Sequence, residues 1–221
     1  MKRVFAVTLI TLVAIMIAYS YNLKKPVKEL PIYNPIDVKA EMVDTSLLRK
    51  GYGHKIGNFS FLNQNGQIVS NKTVKGKVYV VEYFFTTCGT ICPKMNNEMQ
   101  RVQKAYLQNS KFAILSFTVN PEIDTLEQMK RYADAHNANA NQWHFLTGDK
   151  KDLYHLARTS FFVLKPAEAQ NLGDAGSDFI HTNNFVLIDQ LGRIRGYYDG
   201  TSPKKVDELI SDIQLVLNEK N

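Results

Sequence analysis

Cysteine is scarce in this chain, at 2 of 221 residues. A second two-cysteine arm is missing, which removes the usual four-ligand structural zinc site. No C-x-x-C-H stretch occurs, so covalent c-type haem attachment has no anchor. The chain also lacks internal repeats, low-complexity tracts and any arginine-rich stripe with interleaved aromatics, and nucleic acid is not an expected partner. Positive charge exceeds negative by only 6, and part of that excess is Lys24, Lys25 and Lys28. Elsewhere bases are interspersed with acids, as where Lys204 and Lys205 meet Asp207 and Glu208. A solvated face near an anionic membrane accounts for such a balance.

Charge is absent altogether from residues 4–21, a stretch of 18 between Lys2-Arg3 and the basic polar residues 22–25. That length just suffices for a helical membrane span. The alternative is a cleaved signal peptide, because Ala18-Tyr19-Ser20 has a small-x-small pattern, but the apolar stretch is long for one. No cysteine follows to carry a lipid. Positive residues lie on both sides of the span, so orientation rests on the capacity of long domains to translocate regardless of charge. The leader lacks an arginine- and serine-rich amphipathic presequence, which favours a bacterial envelope over an organelle. The expected location is the bacterial cytoplasmic membrane, single-pass, with the domain facing the periplasm or cell exterior.

Three of the seven prolines, Pro26, Pro31 and Pro35, fall in a stretch without helical or strand period. Residues 22–47 therefore read as a tether between an anchor, 1–21, and one domain, 48–221. Within the domain, residues 58–62 and 67–69 form a hairpin around Asn65-Gly66. The apolar run 78–85 is a buried central strand, and 112–119 and 143–146 are further strands. Helices are expected over 93–107, from Asp124 to His136, and from Asp149 onward, followed by strands 184–188 and 193–198 and a terminal helix 203–217. That order is α/β and suits a thioredoxin-like sheet.

Both thiols, Cys88 and Cys92, lie at the turn that leaves the central strand. On a helical first turn, positions four apart share a face with β-carbons about 5–6 Å apart, near enough to chelate one metal ion or close a disulfide. Cysteines are often buried hydrophobes or structural staples. A bridge over three residues closes almost no loop and stabilises little, whereas a helix N-terminus favours the thiolate. Reactive or metal-binding use is the better reading. Two thiolates on a soft ion would want a further donor, and imidazole suits copper. His54, His136, His144 and His155 read as structural or exposed. His181 follows a glycine-containing loop and leads into a strand, but spacing alone leaves its distance from the thiols open.

The run 83–95 with its Thr-Thr-Cys-Gly-Thr-Ile-Cys-Pro core, Asn120-Pro121-Glu122-Ile123-Asp124-Thr125, Leu146-Thr147-Gly148 and the late His181-Thr182 together resemble the Sco/SenC proteins, over about residues 50–217. The resemblance implies a membrane-tethered thioredoxin-like fold in which Cys88, Cys92 and His181 bind one copper ion as Cu(I) or Cu(II). It also implies a role in assembling the CuA site of cytochrome c oxidase, by delivering copper to subunit II or reducing that site's cysteines, or in serving another exported cuproprotein. Two departures stand out. Asn120 replaces the usual Asp of the family's D-P-x-x-D-T segment, and Ile180 replaces the Asp that often precedes the histidine. Two alternatives to a non-enzymatic metallochaperone remain. A thiol-disulfide oxidoreductase would use Cys88 and Cys92 catalytically without needing His181, although its usual spacing is C-x-x-C. A peroxidase-like or redox-sensing domain would need the same pair.

Overall fold

The computed structural model describes residues 2–23, 29–43, 45–48, 51–163 and 182–219. A 22-residue helix, α1 (Lys2–Leu23), comes first. At 1.5 Å per residue it measures about 33 Å. Its side chains are described only at residues 7–17 and 19, and among the described residues no helix is long and apolar enough to cross a membrane.

Seven strands make one sheet: β1 (Ser60–Asn63), β2 (Ile68–Ser70), β3 (Val78–Phe84), β4 (Phe112–Thr118), β5 (Trp143–Thr147), β6 (Asn184–Ile188) and β7 (Ile194–Asp199). Their order is β2-β1-β5-β4-β3-β6-β7. The central trio β5, β4 and β3 is parallel, and hairpins β1–β2 and β6–β7 flank it antiparallel. The short helices α2 (Thr45–Leu48) and α3 (Asn71–Val74) precede the long ones, α4 (Cys92–Tyr106), α5 (Leu126–Ala135), α6 (Lys150–Thr159) and α7 (Pro203–Asn218).

Every residue of β3 and β4 is buried because helices cover both faces. Tyr79, Val81 and Tyr83 pack toward α6 and the Phe161–Val163 turn, together with Phe59 and Phe61. Val78, Val80 and Phe84 pack on the other side among Met95, Met99, Met129, Leu209 and Ile213 of α4, α5 and α7. The expected strands and long helices are all present, with ends shifted by a residue or two. α2 and α3 are additions; at α3, Ser70 accepts from the Lys72 N–H at 3.3 Å and starts a single turn.

The aperiodic stretch after α1 is held against the sheet from residue 30 onward. Leu30, Asn34, Pro35 and Val43 are buried, and the Tyr33 N–H donates to the Ile194 carbonyl at 2.9 Å, bridging to β7. Arg195 on β7 reaches across this strap. Its Nε donates to the Pro31 carbonyl at 3.0 Å and its Nη2 to the Leu30 carbonyl at 2.8 Å.

Candidate functional site: the dithiol turn

β3 delivers the chain to the upper end of the sheet, where residues 85–91 turn before α4 begins at Cys92. The two cysteines are thus not a helical i, i+4 pair, as spacing alone suggested. Cys88 lies in the irregular turn, and Cys92 is the first helical residue. Ile91, at the capping position, has no side-chain oxygen to satisfy the first free N–H groups of α4. The Cys88 Sγ fills that role, accepting from the Cys92 N–H at 3.4 Å. Pro93 in the first turn lacks an N–H and so leaves one fewer donor to satisfy.

The thiols are chemically unlike. Cys88 is half-buried and Cys92 is 3% exposed, and both are free. Partial burial pushes the Cys88 thiol up, but hydrogen bonds from the Cys92 thiol, the Cys92 and Thr90 N–H groups and the Thr90 hydroxyl outweigh it and bring its pKa to about 7. Cys92 goes the other way. Burial is the main cause, reinforced by its bond to Cys88 and by the negative charges of Cys88 and Glu82. One sulfur is accessible and close to ionisation at neutral pH, and the other is a sheltered thiol.

Two buried carboxyl groups frame the turn. Asp124, fully buried, accepts from the Thr86 N–H at 3.1 Å and the Thr86 hydroxyl at 2.5 Å, while its other oxygen accepts from the Thr118 hydroxyl. It ties the approach to Cys88 onto the end of β4. The Asn120 carbonyl in turn accepts the Asp124 N–H at 2.8 Å, so this position contributes main-chain geometry whichever side chain it bears. Glu82 lies within β3, 1% exposed. Its Oε1 accepts from Ser116 at 2.6 Å, and Ser116 accepts from the Trp143 ring N–H at 2.7 Å. Its Oε2 has no hydrogen-bond partner among the described residues, and burial raises its pKa to about 7 against the opposing Ser116 bond. Sequence reasoning passed over both roles. The signals were an acid interrupting an apolar strand and an Asp-Thr pair that also opens a helix.

Four histidines lie in the described residues. His54 pairs through Nε2 with the Ser160 carbonyl at 2.8 Å and packs on Phe162. His136 meets Asn96 at 3.3 Å. His144, in β5, is buried, and burial lowers its pKa to about 4. His155 lies within α6. His181 lies outside the described residues. Among the described residues no group of three or more His, Cys, Asp or Glu side chains could hold a metal ion.

A parallel three-strand centre flanked by hairpins, carrying a dithiol at the strand-to-helix turn, defines a thioredoxin-like protein with redox or soft-metal chemistry. The SCO1/SenC family profile matches residues 49–218. The SCO1 protein homolog of Bacillus subtilis is 34% identical over 163 residues, covering 73% of this chain and 82% of that one. The chain therefore belongs to the SCO1/SenC family. Among solved structures, BsSco is 31% identical with a TM-score of 0.63, over 76% of this chain and 95% of that one. It is described there as a member of the Sco family of cytochrome c oxidase assembly proteins with a disulfide switch. ScoI of Bradyrhizobium japonicum, solved with copper bound, is 25% identical with a TM-score of 0.58, over 75% of this chain and all of that one.

Proposed function

We propose that this protein is a membrane-anchored copper chaperone that binds one copper ion through Cys88, Cys92 and His181 and assists assembly of the CuA site of cytochrome c oxidase. The observation that carries the reading is the pairing of an accessible sulfur, poised near neutral pH, with a buried one at the head of α4. Two sulfurs suit soft Cu(I), and an added imidazole accommodates Cu(II). Three protein donors leave room for an acceptor thiol or imidazole, so the metal can pass by ligand exchange. Residues 1–21 serve as the anchor, supported by the charge-free run 4–21 within α1, and the domain faces the periplasm or cell exterior. The acceptor is oxidase subunit II or another exported cuproprotein.

Metal analysis and absorption spectra of the purified chain test this, with His181→Ala and Cys88→Ser alongside. About one copper per chain is expected, with Cu(II) binding lost in either variant. Undiminished Cu(II) binding by His181→Ala removes the histidine from the site.

The asymmetry of the thiols supports a second reading, reduction of a partner's disulfide. The Cys88 thiolate attacks one partner sulfur and releases the other as a thiolate, which takes up a proton. Cys92 then loses its proton and displaces the second partner sulfur, leaving a Cys88–Cys92 disulfide and a reduced partner. Stoichiometric reduction of a disulfide substrate by the metal-free chain, undisturbed by His181→Ala, would favour it.

A further inference from the structure

We infer that the lower end of the sheet, opposite the dithiol turn, is a lipid-facing surface that seats the domain on an anionic bilayer with the thiols directed away from it. The inference rests on the anchor proposed above. Register fixes which features share that end. Ile194 of β7 pairs with Ile188 of β6, and Ile188 pairs with Tyr79 near the start of β3, whereas Cys88 follows the far end of β3. Seven residues of β3 at 3.3 Å each separate the two ends by about 20 Å. Tyr33 bridges to Ile194, so the strap from α1 meets the domain at the lower end.

The leash there is short. Only residues 24–29 lie between the end of α1 and Leu30, whose carbonyl is held by Arg195. Six extended residues reach at most about 20 Å. The loops at the same end carry the right chemistry for a bilayer surface. Lys75 and Lys77 precede β3, Lys104 lies in the last turn of α4, and Lys111 precedes β4, none with an ion pair among the described residues. Leu107 after α4, Leu191 in the β6–β7 turn and Ile32 in the strap are each at least 40% exposed. Acids at this end are largely engaged: Asp189 by Arg193 and Arg195, Glu219 by Arg195, and Asp134 by Lys130. Glu29 remains exposed at the start of the strap. Cations attract anionic headgroups while exposed leucines insert shallowly. An acceptor using the dithiol turn must then present its own site well above the membrane surface.

The test uses the full chain in a Cys88→Ser, Cys92→Ser background, carrying one fluorophore at Leu191→Cys or at Ile123→Cys, the exposed residue beside the dithiol turn. The protein is reconstituted in vesicles of equal phosphatidylglycerol and phosphatidylcholine that contain a headgroup nitroxide quencher. Quenching at position 191 several-fold above that at 123 is expected, falling toward parity in pure phosphatidylcholine or with Lys75→Glu, Lys77→Glu and Lys111→Glu combined. Equal quenching, or stronger quenching at 123, in a chain that resists carbonate extraction overturns the orientation and leaves the anchor standing. A chain stripped off by carbonate sinks the anchor, and the orientation with it.

Discussion

The two ends of the sheet are built on one device and differ in how completely it is satisfied. At the lower end Asp189, Arg193, Arg195 and Glu219 form a closed ionic cluster that also grips the strap's carbonyls. At the upper end Asp124 holds the dithiol turn through two threonine hydroxyls and one amide, with no cation paired to it among the described residues. Glu82, beneath, keeps an oxygen with no hydrogen-bond partner among the described residues. A saturated cluster fixes a structural join. An incompletely satisfied one leaves the nearby sulfurs responsive to protons and ligands, which is where a functional site departs from the rules that govern the rest of a core.

Breaking the lower cluster should cost most. Arg195→Ala removes one of the two guanidinium groups that face buried Asp189, leaves Glu219 without its partner and releases the strap, while Arg193 stays 2.7 Å from Asp189. A loss of about 3 kcal/mol is expected in denaturant unfolding, at the lower bound for a buried pair because Glu219 is partly exposed. Cys88 alkylation should be unchanged, since the cluster sits at the other end, and a shifted alkylation profile would show that the ends are coupled.

Glu82 sharpens the contrast through pH. With a folded pKa of about 7 against an ordinary 4.5, the unfolded chain gives up this proton first as pH rises, so the group makes stability fall between pH 4.5 and 7. The shift corresponds to about 3 kcal/mol. Thermal melts of Glu82→Gln should show that decline flattened, and an unaltered pH profile would mean that the carboxyl is better solvated than its burial indicates.

Smaller effects belong to the hydroxyl ties. Asp124→Ala strands the Thr86 N–H and two hydroxyls, for an expected loss of about 1–3 kcal/mol, and should speed hydrogen exchange in the turn at residues 86–91 before it affects the strap. The smallest perturbation is titration itself. Iodoacetamide should modify Cys88 at a rate rising about tenfold per pH unit until it levels near pH 7, with Cys92 unmodified in the native protein. Equal labelling of the two thiols would abolish the asymmetry on which the reduction reading depends.

Apolar period and proline punctuation made most of this architecture legible. The runs 78–85 and 112–119 announce strands covered on both faces, and Pro93 and Pro203 mark helix starts. The cysteine pair was legible as a site from its place after a buried strand. The strap was not, because its order comes from Arg195, 164 residues beyond Pro31 in the chain, and no local pattern encodes such a bond. Nor was the partnership of Asp124 with Thr86, which spans 38 residues. The cap formed by Cys88 was also hidden, because i, i+4 spacing suggests a shared helical face, whereas the chain turns first and the helix starts at the second cysteine.

The strap does more than join two segments. β7 ends the sheet, and an outermost strand with free amides and carbonyls invites a second chain to add itself. Tyr33 occupies the Ile194 carbonyl, and the Arg195 side chain holds the Leu30 and Pro31 carbonyls of the same strap. A shortened protein begun at residue 48 would bare that border, and edge-to-edge self-association is the expected result.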